Sequence, residues 1–180
     1  MITRISFFIA TICLSFQVSA QDSSKQADSY ANIFATTCFK HLSKLEALES
    51  QLQSVPSLPP EKAQHFLAGR QGKAWPVPDK HGTFVLSIHT DKNFCAVYAR
   101  RVSGPEAISR FQKLVATAPP PFIARQVEQT SYQTKLNGMA STLSYEWSLK
   151  GSERKMLFTL STADSPTADI QGLVSAAIIR

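Results

Sequence analysis

From Asp28 to about Ser54 the apolar residues Tyr30, Phe34, Cys38, Leu42, Leu45, Leu48, Leu52 and Val55 recur at steps of three and four. That spacing lines one face of a helix and predicts a long amphipathic one. The segment "PSLPP" ends it, because proline cannot continue the hydrogen-bond ladder. A shorter helix is predicted from Pro59 to about Leu67, with Pro60 near its start and Gly69 beyond its end.

The period then changes from helical to alternating. In "KAWPVPDKHG" Trp75 and Val77 alternate like a strand, and Pro76 and Pro78 confine that strand to a sheet edge. "TFVLSIHT" and "NFCAVYARRV", separated by "DKN", read as a hairpin. In its second strand Cys95, Val97 and Ala99 share one small-residue face, opposite Phe94, Ala96, Tyr98 and Arg100. The small face suits a close-packed helix, and the helix bearing Cys38 is the expected occupant.

"SGPEAISRFQKLVATAPPP" predicts a second major helix, with Ser103 and Glu106 as a candidate capping box and Ile108, Phe111, Leu114 and Val115 as its buried stripe. After its prolines "FIARQVEQTSYQT" alternates weakly, and Asn137-Gly138 signals a turn. "STLSYEWSLK" alternates cleanly, with Leu143, Tyr145, Trp147 and Leu149 inward and Thr142, Ser144, Glu146 and Ser148 outward. "KMLFTLST" follows a "GSE" turn, and "LVSAAIIR" reads as a closing strand. Strands joined by tight turns pair antiparallel. The expectation is an α+β domain: an antiparallel sheet of about five to seven strands, with the N-terminal long helix and the mid-chain helix packed on one face. A profilin-like topology is the specific arrangement it suggests.

The first twenty residues, "MITRISFFIATICLSFQVSA", carry one arginine, an apolar run and a small-residue end. That is the layout of a secretory signal peptide, with cleavage expected after Ala20. The run is shorter than the roughly 20 predominantly apolar residues of a membrane span. Cys13 is a poor lipid-attachment site because Ile12 precedes it and apolar residues follow. The expected organisation is a signal peptide over 1–20, a flexible polar segment over 21–27 and a single domain over 28–180. Export places the chain in the periplasm or outside the cell, with no stable membrane insertion after cleavage.

Lysines and arginines number 19 against 13 acids. They are scattered, which describes a mildly basic surface and not a nucleic-acid arm. Without Cys13 the remaining cysteines, Cys38 and Cys95, form an even pair, and an oxidising compartment makes one disulfide the expectation. Two free thiols or a metal pair are the alternatives. Metal fits poorly, since His41 is the only other soft ligand nearby in sequence and structural zinc takes four. No CxxC spacing points to redox catalysis.

Catalytic patterns are sparse. His89-Thr90-Asp91 puts an imidazole and a carboxylate on one strand face, the candidate dyad for an enzyme. His81, His89 and Asp91 are the nearest approach to a metal set. No phosphate loop, HExxH or EF-hand pattern occurs, and no cofactor or metal is expected. Binding is better supported: Arg100 and Arg101 end a strand where they can meet an acidic partner, and Trp75 is a candidate aromatic anchor.

Read in succession, "FATTCFKH", "FLAGRQGKAW", "FVLSIHTDKNFCAVYARR" and "FQKLV" resemble a group of small exported proteobacterial proteins and lipoproteins of uncharacterised function. The resemblance implies an envelope location and a cysteine pair, and carries no catalytic residues across. By architectural analogy with small exported α+β proteins, the expected role is a binding module such as an immunity protein or inhibitor, with a protein partner in the cell envelope. The alternatives are a small envelope hydrolase using His89 and Asp91, or a non-catalytic assembly component.

Overall fold

The structure is a computed structural model that describes residues 17–180, with side chains from residue 21 onward. The leader reading falls on residues 1–16, outside the described residues, and on residues 17–20, whose backbone opens the first helix. Cys13 also lies outside them.

The described chain is α+β, as the alternation of periods predicts. Helix α1 spans Gln17–Phe34 and passes into a π-helical segment, Ala35–Phe39. Helices α2, Leu45–Gln51, and α3, Pro60–Leu67, follow. Strands β1, Gly72–Val77, β2, Phe84–His89, and β3, Phe94–Ala99, precede helix α4, Gly104–Val115. Strands β4, Ile123–Thr134, β5, Gly138–Ser148, β6, Lys155–Ala163, and β7, Gly172–Ile179, complete the chain. All seven strands form one antiparallel sheet in the order β1-β2-β3-β7-β6-β5-β4.

Two sequence expectations about the N-terminal region change. Residues 21–27 are helical, with Ala27 wholly buried, so this segment belongs to the packed domain. The single long helix is interrupted: the Thr36 and Thr37 hydroxyls donate to the Asn32 and Ile33 carbonyls at 2.8 and 2.6 Å, and the backbone there widens to π geometry. Threonine back-bonding of this kind bends helices. The apolar stripe survives the break: Tyr30, Phe34, Cys38, Leu42, Leu45 and Leu48 are all buried.

The core lies between one sheet face and the layer formed by α1, the π segment and α4. From β3 it takes Cys95, Val97 and Ala99, the small face expected to receive a helix. The sulfurs of Cys38 and Cys95 are bonded, with their Cα atoms 5.2 Å apart. The close approach continues at Gly172, where a Cβ would collide with Val102 and crowd the Tyr30 ring. The Tyr30 hydroxyl donates to the Val97 carbonyl at 3.2 Å.

The expected capping box at α4 does not form, as the Ser103 side chain makes no cap bond. Glu106 turns instead to Arg110, at 2.6 Å, and Arg110 also reaches Asp28 at 2.7 Å and the Ser24 hydroxyl at 3.0 Å. One guanidinium thereby ties α4 to α1. Helix α3 packs on the opposite sheet face, where Ala63 and Leu67 cover Ala74 beside Phe66 and Val85. It shields the β1 to β3 end, where the Tyr98 hydroxyl donates to the Phe66 carbonyl at 2.7 Å, and among the described residues no helix covers the outward face from β7 to β4.

The closing strand is not at an edge. β7 lies at the centre, between β3 and β6, with Val174 and Ala176 buried. The two edges are β1, where Pro76 removes a donor as expected, and β4.

Candidate interaction surface

Strand β4 is twelve residues long, lies at the sheet edge and is exposed over nearly its whole length. Among the described residues the large exposed apolar side chains are Ile123, Val127, Tyr132, Leu136 and Met139. All belong to β4, its turn or the first residues of β5. Leu136, at the turn, is 83% exposed. Single exposed apolar residues are ordinary, but these five follow one another along a single sheet edge and its hairpin, which makes that edge the candidate interaction surface.

The hairpin is held in place from behind. The Met139 amide donates to the Asp164 carboxylate at 2.6 Å, the Asp164 amide to the Met139 carbonyl at 3.1 Å, and the Ser165 amide to the Asn137 carbonyl at 3.2 Å. The turn is not the two-residue Asn-Gly form: Thr134 pairs with Gly138, and Gly138 alone takes positive φ, at 67°. A shift in register between Gln126 and Glu128 leaves Val127 as an extra residue. Such a bulge bends the edge and re-aims its side chains.

On the outward face beside this edge, polar side chains cross three strands. Glu146, largely buried, lies 3.4 Å from Arg125 of β4 and 3.2 Å from Lys155 of β6. Ser144 donates to Glu128 at 3.2 Å and meets Thr159 at 3.0 Å, and Thr142 meets Ser161 at 3.1 Å. Glu146 and Ser144 do face outward as their alternation requires, but this network buries them.

The residues singled out in the sequence are not brought together. Trp75 is 3% exposed and sits in the main core, so it is a wall and not an anchor. The Arg101 guanidinium donates to the carbonyls of Arg100 and Ala168, at 2.7 and 2.6 Å, clipping the chain after β3 to the β6–β7 loop. Arg100 is exposed and borders a pocket of about 310 Å³ with His65, Phe66, Tyr98 and Asp169.

The His89–Asp91 dyad is not assembled. Asp91 pairs with Arg70 at 3.1 Å. His89 is 6% exposed, packed against Phe94 with ring centroids 4.5 Å apart, and neither ring nitrogen has a hydrogen-bond partner. Burial lowers its pKa from the usual 6.5, helped by Lys92 and Arg70 and opposed by Asp91. A base needs an oriented proton path, and this ring has none to Asp91. His81 precedes β2 and His89 ends it, so the extended strand, about 16–17 Å long, runs between them. Among the described residues no group of three or more His, Cys, Asp and Glu side chains could hold a metal ion.

Sequence reasoning missed the β4 edge because its apolar residues fall at irregular intervals. Ile123, Val127 and Tyr132 fit neither alternation nor a helical stripe, since the bulge breaks the period and little of the strand beyond Ala124 is covered. The available signal was a long polar run carrying isolated large apolar residues before an Asn-Gly turn.

No family model matches the chain, and no curated protein matches it. Among solved structures, the BH2602 protein from Bacillus halodurans, crystallised with CoA, is 12% identical over 94% of this chain and 99% of that one. Its TM-score of 0.19 is too low to indicate a common fold. Among the described residues no helix is long and apolar enough to cross a membrane.

Proposed function

We propose that this chain is an exported protein-binding module of the bacterial cell envelope, such as an immunity protein or inhibitor of an envelope-acting toxin or hydrolase. The observation that carries the reading is the gathering of exposed apolar side chains on the β4 hairpin, an unpaired sheet edge anchored by Asp164. A free edge offers main-chain hydrogen bonds to an extended segment of a partner, Tyr132 supplies an aromatic contact of the kind that dominates interfaces, and Leu136 adds apolar area. The disulfide supports the oxidising compartment that export would provide. The leader-like first twenty residues and the resemblance to small exported proteins point the same way. Arg100 remains available as a peripheral basic contact, whereas Arg101 is engaged in the fold.

Affinity capture from an envelope extract tests this reading. The unaltered chain is expected to retain one partner in a stoichiometric complex at physiological salt, and a Tyr132→Asp/Leu136→Asp variant with unchanged thermal unfolding is expected to lose it. Equal recovery by both proteins, or no specific partner for either, would refute the proposal.

A further inference from the structure

At one end of the sheet the helical layer stops short of the strands. Trp147, Met156 and Ile178 point toward the helix side of β5, β6 and β7, next to one another in register, yet α1 and the π segment have ended by Phe39. The gap is a pocket of about 320 Å³ lined by Phe122, Trp147, Leu149, Met156 and Ile178, with Ser43, Ser152, Arg154 and Lys155 around them. That volume is at the lower end for small-molecule sites, which are mostly apolar with a few placed polar groups.

Its floor is fixed. The Trp147 indole N–H donates to the Val115 carbonyl at 2.7 Å, and its ring meets Phe39 and Phe158 edge-on at 5.3 and 5.1 Å. The rim carries an uncommitted cation. Lys155 sends its ammonium to Glu146, on the other sheet face. Arg154 has no ion pair among the described residues, while its backbone is pinned by two hydrogen bonds with the Ser152 hydroxyl. The other large pockets differ in kind. That beside α2 and the β2–β3 turn is lined mainly by polar and charged side chains of both signs, among them Glu46, Glu49, Asp91 and Lys92, and offers no floor of Phe, Tyr or Trp rings.

We propose that this pocket binds a small free amphiphile, its apolar body lying on Trp147 and its single anionic head facing Arg154. The body replaces water over an aromatic and aliphatic floor, and the head accepts charge-assisted bonds from a guanidinium that has no ion-pair partner among the described residues. The site adjoins only the Ile123 end of β4, through Phe122, and lies away from the Tyr132–Leu136 hairpin tip, so its occupancy does not depend on the protein-binding reading.

Heteronuclear NMR of the nitrogen-labelled protein, titrated with decanoate below its micellar concentration, is the test. The expected result is a saturable shift of the Trp147 indole resonance and of amides at Phe122, Met156 and Ile178. Decanol, equal in chain but uncharged, is expected to bind about tenfold more weakly, and Arg154→Gln to bring decanoate to the level of decanol. That substitution lies on the surface and leaves the Ser152 bonds intact. Absence of saturable shifts, shifts centred elsewhere, or equal affinity for decanol and decanoate would overturn the proposal. So would co-sedimentation with phosphatidylglycerol vesicles without any decanoate-induced shift, which would make the source a membrane surface.

Discussion

The sulfur of Cys38, on the π-helical segment, is bonded to the sulfur of Cys95 in the third strand, 57 positions away in sequence, and both side chains are fully buried. The bond joins the helical layer to the sheet at a point where the helix departs from regular geometry. Cross-linking so distant a pair removes about 4 kcal/mol of loop-closure entropy from the unfolded chain. Replacing both cysteines by alanine is therefore expected to cost about 3–4 kcal/mol in urea unfolding, against typical domain stabilities of about 5–15 kcal/mol. An unchanged midpoint would show that the helical layer needs no covalent tie.

Gly138 closes the β4–β5 hairpin at φ 67°, a conformation costly for any residue with a Cβ, and an added Cβ there would run into the Asp164 carboxylate. Gly138→Ala is expected to destabilise the protein by about 1–2 kcal/mol. It should also loosen the tip, read as faster amide exchange at Met139. Retained protection of that amide would contradict the anchoring role given to Asp164.

His89 predicts a dependence on acidity. Its ring is enclosed without hydrogen-bond partners, and burial holds its folded pKa below 6.5, with Lys92 and Arg70 adding to the effect and Asp91 opposing it. Well above about 6.5 the ring is neutral whether folded or unfolded. As pH falls, the unfolded chain takes up a proton that the folded chain resists, so stability declines until the lowered folded pKa is passed. Between about pH 7.5 and about pH 5 the wild type should lose more stability than His89→Leu. Parallel losses would place the titrating group elsewhere.

Much of the architecture was legible because burial imposes period. The stripe from Tyr30 to Leu48, the small face of Cys95, Val97 and Ala99, and the inward run Leu143, Tyr145, Trp147 each follow from a surface that must face the core. The break after Phe34 was hidden, because the stripe runs through it unchanged. The central place of β7 was equally hidden, since alternation fixes which face a residue takes but not which strand lies beside it. The candidate site was the least legible part. Trp75 and Arg101 belong to residue types that serve interfaces, but one fills the core and the other clips two loops together. The β4 edge carries its signal in the failure of any period, which only the sheet order turns into a surface.

The account rests on β4 as the face that meets a partner, and crosslinking tests it most directly. A photoreactive residue is placed singly at Leu136, at Tyr132 and, at the opposite edge of the sheet, at Lys62 of α3. Illumination in intact cells is expected to give the same discrete adduct from Leu136 and Tyr132 and none from Lys62. Adducts from Lys62 alone, or no adduct at either hairpin position, would contradict it.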